Sequence, residues 1–416
     1  MIGPIITVKS DRSLKIPFYI PFEKEDLEEF NINPKTCKRV KLTGKTYYLH
    51  KKTKIAFLTS FTRGSKENKI EEYKDEIKEI PERSTRKVIV MGIESTAHTF
   101  GVGIADNLGN IYANVNSIYI PLKGGIHPRE AAEHHANVAH KLIKEAFRVS
   151  RLSYNDINGI AFSRGPGLGP CLRIGATAAR VLSILLKKPL ISVNHCIAHI
   201  EIGRLSTKLT DPLIVFVSGG NTMILTYISG RYRIIGETLD ISLGNCLDTF
   251  SREFNLGFPG VPSVEKIAKR GINFIYLPYT VKGQDLSYSG LLTSALRKVN
   301  LKEASIEDVS MSLVETAYAM LVEVTERALV YSGKKELLLT GGLARSKKLS
   351  NMLKVMSEEH NVLFAAAPEE YAGDNGAMIA YTGALKLFYN RTIPLEKSFI
   401  LQRWRPDEED VPWRNH

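Results

Sequence analysis

His195 and His199 lie four residues apart, directly after the short apolar run Leu190–Val193. If that stretch is helical, both imidazoles share one face and can chelate a single metal ion. The same spacing also suits histidines that merely pack or face solvent. A carboxylate brought in from elsewhere would favour the metal, and Asp374 is the candidate. It sits in the tight turn Gly373-Asp374-Asn375-Gly376, ahead of a helix expected over Ala377 to Phe388. An aspartate there can equally serve as a helix N-cap. Two histidines and a carboxylate with open positions suit iron(II) or zinc.

Glycine turns are the second group that could do chemistry. Ser218-Gly219-Gly220-Asn221-Thr222, the stretch Gly257 to Pro262, and Gly341-Gly342 could each let backbone approach a phosphate or ribose. Each could also be a plain turn. No G-x-x-x-x-G-K-[ST] is present, which excludes a P-loop, and no clean G-x-G-x-x-G follows a strand. The loop Gly165 to Pro170 could present Arg164 and Arg173 to phosphate or simply turn the chain. Asp285-Leu286-Ser287-Tyr288-Ser289-Gly290-Leu291 sets small hydroxyls near an aspartate. No histidine has a context that would complete a Ser-His-Asp triad.

The elements that must position these groups are short buried strands and apolar-periodic helices. Val88 to Ile93, Phe100 to Ala105 and Ile111 to Ser117 read as three strands, with a helix from Arg129 to Val149. Pro212 to Val217, Met223 to Ile228 and Tyr232 to Thr238 repeat the pattern about 125 residues later. Duplication is the reading, with unrelated hairpins as its rival. Strand Glu336 to Thr340 runs into Gly341-Gly342 and a helix expected from Arg345. That strand–turn–helix arrangement marks the usual ligand crevice of α/β sheets.

With 416 residues, 44% hydrophobic and 24% charged, the chain has room for two or three domains of ordinary globular character. There is no run of 18 apolar residues and no signal-peptide pattern at the start, so no membrane span is expected and the cytoplasm is the expected compartment. Cys37, Cys171, Cys196 and Cys246 never form Cys-x-x-Cys, which argues for reduced, mostly buried thiols. Glutamine occurs only at Gln284 and Gln402. That bias is common in heat-adapted proteins, where a cytosolic disulfide is less improbable. The net charge of +12 permits a polyanionic partner without requiring one. The first ninety residues hold 20 basic and 13 acidic groups, so the excess is densest there. Arg39 to Ser60 suggests a small hairpin around Gly44, and Lys69 to Lys87 reads as a charged linker. Residues 1–87 therefore look like an appendage.

Seven segments occur in a specific order: Gly92-Ile93-Glu94-Ser95-Thr96-Ala97-His98-Thr99, Gly124-Gly125-Ile126-His127-Pro128, Gly165-Pro166-Gly167-Leu168-Gly169, Asn194-His195-Cys196-Ile197-Ala198-His199, Ser218 to Thr222, Asp285 to Leu291, and Asp374-Asn375-Gly376-Ala377-Met378-Ile379-Ala380. With them, residues 88–405 resemble the tRNA N6-adenosine threonylcarbamoyltransferase family in its archaeal form, once labelled O-sialoglycoprotein endopeptidase. The resemblance implies an α/β, duplicated actin-like (ASKHA) two-lobed fold plus the small N-terminal extension. The first lobe would be 88–210, completed by about 376–405, and the second 211–375. The implied reaction moves threonylcarbamoyl from threonylcarbamoyl-AMP to N6 of the adenosine 3′ to the anticodon in ANN-decoding tRNAs. The implied partners are tRNA and the KEOPS assembly, which includes a small atypical kinase.

The resemblance implies that His195, His199 and Asp374 hold one divalent ion, iron(II) first and zinc second. Ser218, Gly219 and Gly220 would line the donor, with Phe216, Val217, Val261 and Ser346 also among the substrate-binding residues. Asp248 and Glu265 would hold ribose hydroxyls, and Gly341 and Gly342 would flank the nucleotide. Three positions depart from the family pattern: Phe216 replaces a tyrosine that serves as an extra ligand in archaeal relatives, Val261 replaces the second glycine of a Pro-Gly-Gly-Pro turn, and Ser346 replaces an asparagine. Three rivals are a zinc peptidase, an actin-like ATPase and an idle scaffold. The first needs His-Glu-x-x-His, but Cys196 follows His195. The second needs an aspartate in the first turn, where this chain has Glu94 then Ser95. The retained His195, His199 and Asp374 argue against the third.

Overall fold

The computed structural model describes residues 86–121 and 125–414 in full. From the first 85 it describes the backbone of four strands: β1 (Ile6–Thr7), β2 (Phe18–Tyr19), β3 (Cys37–Leu42) and β4 (Lys45–His50). Backbone contacts divide the chain into two units, Met1–Arg86 and Lys87–His416. In the first, β1 pairs with β2, and β3 pairs antiparallel with β4 from Cys37↔His50 to Leu42↔Lys45. The expected hairpin exists, two residues earlier than read and ending at His50. The proposed linker, apart from Arg86 and Lys87, lies outside the described residues, as does Gly124.

The second unit begins with β5 (Ile89–Glu94), β6 (Thr99–Asp106), β7 (Ile111–Ile118), α1 (Pro128–Ser150), β8 (Gly159–Gly165), α2 (Gly169–Leu186), β9 (Leu190–Asn194) and α3 (His195–Thr207). It continues through β10 (Leu213–Val217), β11 (Thr222–Ile228), β12 (Arg231–Glu237), α4 (Leu243–Glu253), α5 (Gly260–Ala268), β13 (Val281–Lys282) and β14 (Asp285–Leu286). The remaining elements are α6 (Ser289–Asn300), α7 (Ile306–Ser332), β15 (Glu336–Thr340), α8 (Lys347–Glu359), β16 (Leu363–Ala366), α9 (Glu369–Ala372) and α10 (Gly376–Phe388).

Two five-stranded sheets share one topology. The first has the order β7-β6-β5-β8-β9 and the second β12-β11-β10-β15-β16. In each, an antiparallel meander is followed by two parallel strands. The strands β5, β8, β9, β10 and β15 are buried almost throughout. That explains why they read as continuous apolar runs rather than alternating ones. The repeated order is the signature of a duplicated actin-like fold.

Four apolar clusters fill the unit. The outer face of the first sheet packs on α1 and α2 through residues such as Ile93, Phe162 and Ala176. The second sheet packs on α4, α6 and α7 through Val215, Phe250 and Leu321. Two smaller clusters lie between, one joining Ile197 and Ile200 to Phe216 and Leu338, the other joining Ala198 and Ile202 to Val193 and Met378. Both include side chains of α3, whose first nine residues, His195 to Gly203, are all buried. The last helix, α10, returns to the first sheet and lies against β5 and β6. This close approach requires glycine: a Cβ on Gly92 would stand 2.1 Å from the Ala380 nitrogen. Among the described helices only α2 is long and apolar enough to cross a membrane. Its small face, Gly175, Ala176 and Ala179, is buried in the first half's core.

The strand bounds match the sequence reading to within a residue or two. The helix expected from Arg345 begins two residues later, after a different local turn. A short 3-10 turn spans Gly342–Arg345, and the α-helix starts at Lys347, capped by the Ser346 hydroxyl, which accepts from the Leu349 N–H at 3.1 Å. The glycines therefore do not sit at an open α-helical N-terminus.

Candidate metal centre

The sequence places His195 at the first position of α3 because Asn194 caps that helix. Its side-chain oxygen accepts from the N–H groups of Cys196 and Ile197 at 3.0 and 3.3 Å, a cap worth about 1 kcal/mol. His199 follows one turn later. The two rings meet edge to face, with centroids 4.7 Å apart. Asp374 reaches them from the turn before α10. Its Oδ1 is 3.5 Å from His195 Nε2 and 3.3 Å from His199 Nε2. The nearest donor atoms of the three residues all lie within 4.8 Å of one another. His199 is fully buried and His195 nearly so. Asp374 does not cap α10, because Asn375 does, accepting from the Met378 N–H at 2.9 Å. The carboxylate is thereby left for the histidines.

Burial and charge compete at this cluster. Burial alone would lower the His195 pKa, but the Glu94 and Asp374 carboxylates outweigh it and hold it at about 9. Burial lowers that of His199. For Asp374 burial works upward, yet the hydrogen bond from His199 and the charge of His195 bring the carboxyl below the ordinary range. Two imidazole nitrogens and one carboxylate oxygen converging in a nearly dry site fit a divalent transition metal.

The other sequence-derived positions fall into two groups. Ser218, Gly219 and Gly220 form the turn after β10, where Ser218 Oγ accepts from the Gly220 and Asn221 N–H groups. Gly219 and Gly220 are exposed. Asp248 lies across from this turn, its Oδ2 4.0 Å from where a Cβ on Gly219 would be. Its Oδ1 accepts from the Gly260 N–H at 2.9 Å. Burial pushes its pKa up. Val261 packs its side chain on the second core. Glu265 and Ser346 are joined directly, the Ser346 hydroxyl donating to Glu265 Oε1, which also accepts from Tyr318 at 2.7 Å. Gly341, at φ +90, would drive a Cβ to 2.5 Å from the Val217 carbonyl oxygen, whereas Gly342 has open space around it.

Phe216 and Val217 are fully buried. The Phe216 ring lies 5.4 Å from that of His199, and Val217 packs into the core of the second half. Arg164 is engaged internally, donating to the carbonyls of Phe399 and Lys397 and lying over the Phe399 and Trp404 rings. It is not offered to phosphate, whereas Arg173 is exposed. The hydroxyls of Ser287 and Ser289 both donate to Asp240, while Asp285 accepts from the Glu237 N–H. The aspartate beside those hydroxyls is therefore not the one adjacent in sequence. Among the described cysteines, Cys171, Cys196 and Cys246 are free and buried. Sequence reasoning missed a contact of Glu94, whose Oε2 lies 3.0 Å from His195 Nδ1. A pairing across 101 positions leaves no local spacing to detect.

The family model of TsaD, tRNA N6-adenosine threonylcarbamoyltransferase, matches residues 108–381, a span that includes His195, His199 and Asp374. A tRNA N6-adenosine threonylcarbamoyltransferase of Thermofilum pendens is 58% identical over 330 residues, covering 79% of this chain and 98% of that protein. A probable bifunctional tRNA threonylcarbamoyladenosine biosynthesis protein of Methanothermobacter thermautotrophicus is 54% identical over 326 residues, 78% of this chain and 61% of its own length. Among solved structures, HypF of T. kodakarensis superposes with a TM-score of 0.54 at 16% identity, covering 75% of this chain and 48% of that one, a likeness of fold alone. A family match over more than half the chain, and a relative this similar aligned over nearly its whole length, lead to one conclusion: the chain belongs to the tRNA N6-adenosine threonylcarbamoyltransferase family.

Proposed function

We propose that this chain transfers the threonylcarbamoyl group from threonylcarbamoyl-AMP to N6 of the adenosine 3′ to the anticodon in ANN-decoding tRNAs, forming N6-threonylcarbamoyladenosine. The observation that carries the reading is the convergence of His195, His199 and Asp374 at 3.3–3.5 Å in a chain of this family. We read residues 88–210, completed by 376–405, as the first lobe and 211–375 as the second, with the cytoplasm as the compartment. The site would hold one divalent ion per subunit, iron(II) in first place and zinc in second. When bound, that ion supplies a Lewis acid for the donor's carbonyl oxygen.

The chain's own groups would bind and align the donor. Gly220 and Gly342 have no atom within 4 Å of a would-be Cβ, so backbone there can approach a nucleotide closely. Asp248 Oδ2 and the Glu265 carboxylate would accept from ribose hydroxyls. Phe216 has no oxygen to add to the ligand set, which leaves three protein ligands. The adenosine amine is a weak nucleophile, so holding it against an activated acyl group would carry much of the rate. The donor would come from a separate synthase, and the KEOPS subunits, a small atypical kinase among them, are the proposed partners.

The test is mass spectrometry of tRNA nucleosides after incubating the full chain with threonylcarbamoyl-AMP and tRNA, with and without those partners. N6-threonylcarbamoyladenosine is the expected product. Steady ATP turnover with no modified nucleoside under any of these conditions would replace this reading with the actin-like ATPase.

A further inference from the structure

One buried carboxylate stands beside the metal site without a role in the reading above. Glu94 ends β5 and is fully buried. Its Oε1 accepts two hydrogen bonds from Thr96, one from the backbone N–H and one from the hydroxyl, each 2.6 Å. Its Oε2 lies 3.0 Å from Nδ1 of His195. Nε2, on the other side of the same ring, faces Asp374 at 3.5 Å. The imidazole is thus held between two carboxylates, one on each nitrogen.

We propose that Glu94 is a positioning residue that keeps His195 protonated on Nδ1, so that the Nε2 lone pair is presented to the ion shared with His199 and Asp374. The proposal rests on reading those three residues as metal ligands. Its chemistry follows from what each atom can do. An ionised carboxylate only accepts, so the ring nitrogen facing it must carry the hydrogen. In a neutral imidazole the other nitrogen is then the acceptor and the ligand atom. A carboxylate behind a metal-bound histidine fixes the tautomer and ring orientation and raises the basicity of the ligand.

The two histidines differ in this respect. His199 Nδ1 is buried and has no hydrogen-bond partner among the described residues, and its ring is set by packing beside Phe216. Only His195 has its far nitrogen fixed by a charged side chain. Thr96 makes the device directional. Its backbone N–H is an obligatory donor, so the atom at the Oε1 position must accept. If Glu94 is replaced by glutamine, the amide oxygen has to stay with Thr96 and the NH2 group faces His195. That NH2 can only donate, so it draws Nδ1 into the accepting role and moves the ring proton to Nε2, the metal-facing nitrogen; the Thr96 hydroxyl oxygen, 3.3 Å from Nδ1, is then the remaining acceptor for a proton on that side. A glutamine of the same shape preserves the packing and reverses the chemistry.

The experiment titrates the full chain with Co2+ as the probe, comparing wild type, Glu94→Gln and His195→Ala by calorimetry and visible absorption, with circular dichroism to verify folding. Long-range 15N–1H spectra of histidine-labelled wild type loaded with Zn2+ report which nitrogen of His195 carries the proton. We expect Nδ1 to be protonated in the wild type, and Glu94→Gln to lose about 10–100-fold in Co2+ affinity with unchanged circular dichroism. Wild-type Co2+ affinity in Glu94→Gln, alongside loss in His195→Ala, overturns the role of Glu94 and leaves the metal site standing. Wild-type affinity in His195→Ala overturns the metal reading itself. Should Glu94→Gln fail to fold, the wild-type spectrum decides alone, and a proton on Nε2 of His195 sinks the proposal.

Discussion

Asn375, and not the neighbouring Asp374, caps α10: its side-chain oxygen accepts from the Met378 N–H at 2.9 Å, while Asp374 turns its Oδ1 to within 3.5 Å of both histidines. Adjacent residues thus hold separate roles, one structural and one at the metal site. Asp374→Ala is expected to abolish metal retention and transfer while leaving the unfolding transition close to that of the wild type. Asn375→Ala is expected to do the reverse, costing about 1 kcal/mol through the lost cap with the metal retained. Metal content by mass spectrometry and urea unfolding of the two variants separate these outcomes.

His195 and His199 are expected to be needed together. His195→Ala removes one of the three ligand atoms that lie within 4.8 Å of each other, and the remaining histidine and carboxylate make a poor site for a divalent transition metal. Metal content should fall to background and nucleoside formation with it. Full activity in a metal-free His195→Ala protein would remove the proposed mechanism, whatever the fold.

The sequence made much of this arrangement legible because its signals are local. Buried parallel strands read as apolar runs, and the repeated strand order needed only that pattern to be seen twice. His195 and His199 were visible because a helix converts a spacing of four into proximity. What could not be read were pairings set by tertiary packing. Ser287 and Ser289 bond Asp240 rather than Asp285, Arg164 is taken up by the carbonyls of Lys397 and Phe399, and Glu94 meets His195 across the first sheet. α8 starts two residues past Arg345 because a 3-10 turn over Gly342–Arg345 comes first and Ser346 then caps the α-helix.

The seam between α10 and the first sheet should be intolerant of a single methyl group. A Cβ on Gly92 would lie 2.1 Å from the Ala380 nitrogen, and backbone on both sides cannot move aside cheaply. Gly92→Ala is expected to cost about 3 kcal/mol. Gly290 is the control: it is exposed in the first turn of α6 and has nothing within 4 Å of a would-be Cβ. Gly290→Ala should be neutral or stabilising by up to about 1 kcal/mol. Urea midpoints of the two variants should move in opposite directions or differ by most of the Gly92 penalty.

Buried thiols impose an alkaline limit. Burial pushes Cys171 to about 11 and Cys246 to about 12, against about 8.5 for a free thiol. Because the unfolded chain ionises first, their contribution to stability is complete below about pH 8.5 and is lost as the pH rises toward the folded values. At pH 8, iodoacetamide should leave Cys171, Cys196 and Cys246 unmodified in the native protein and label all three in denaturant. Peptide mapping reads the result, and rapid native labelling of Cys246 would contradict its enclosure.

The densest positive charge lies in the first ninety residues, with 20 basic against 13 acidic groups. If this segment faces RNA, it adds phosphate contacts, and each contact releases counterions on binding. Removing residues 1–86, which retains the ion pair of Lys87 with Asp106 at 3.7 Å, should then weaken tRNA binding and flatten its dependence on salt while leaving metal content intact. Filter binding at several salt concentrations measures both. An unchanged affinity with an unchanged salt slope would assign tRNA recognition to residues 87–416 and leave the basic extension without a part in it.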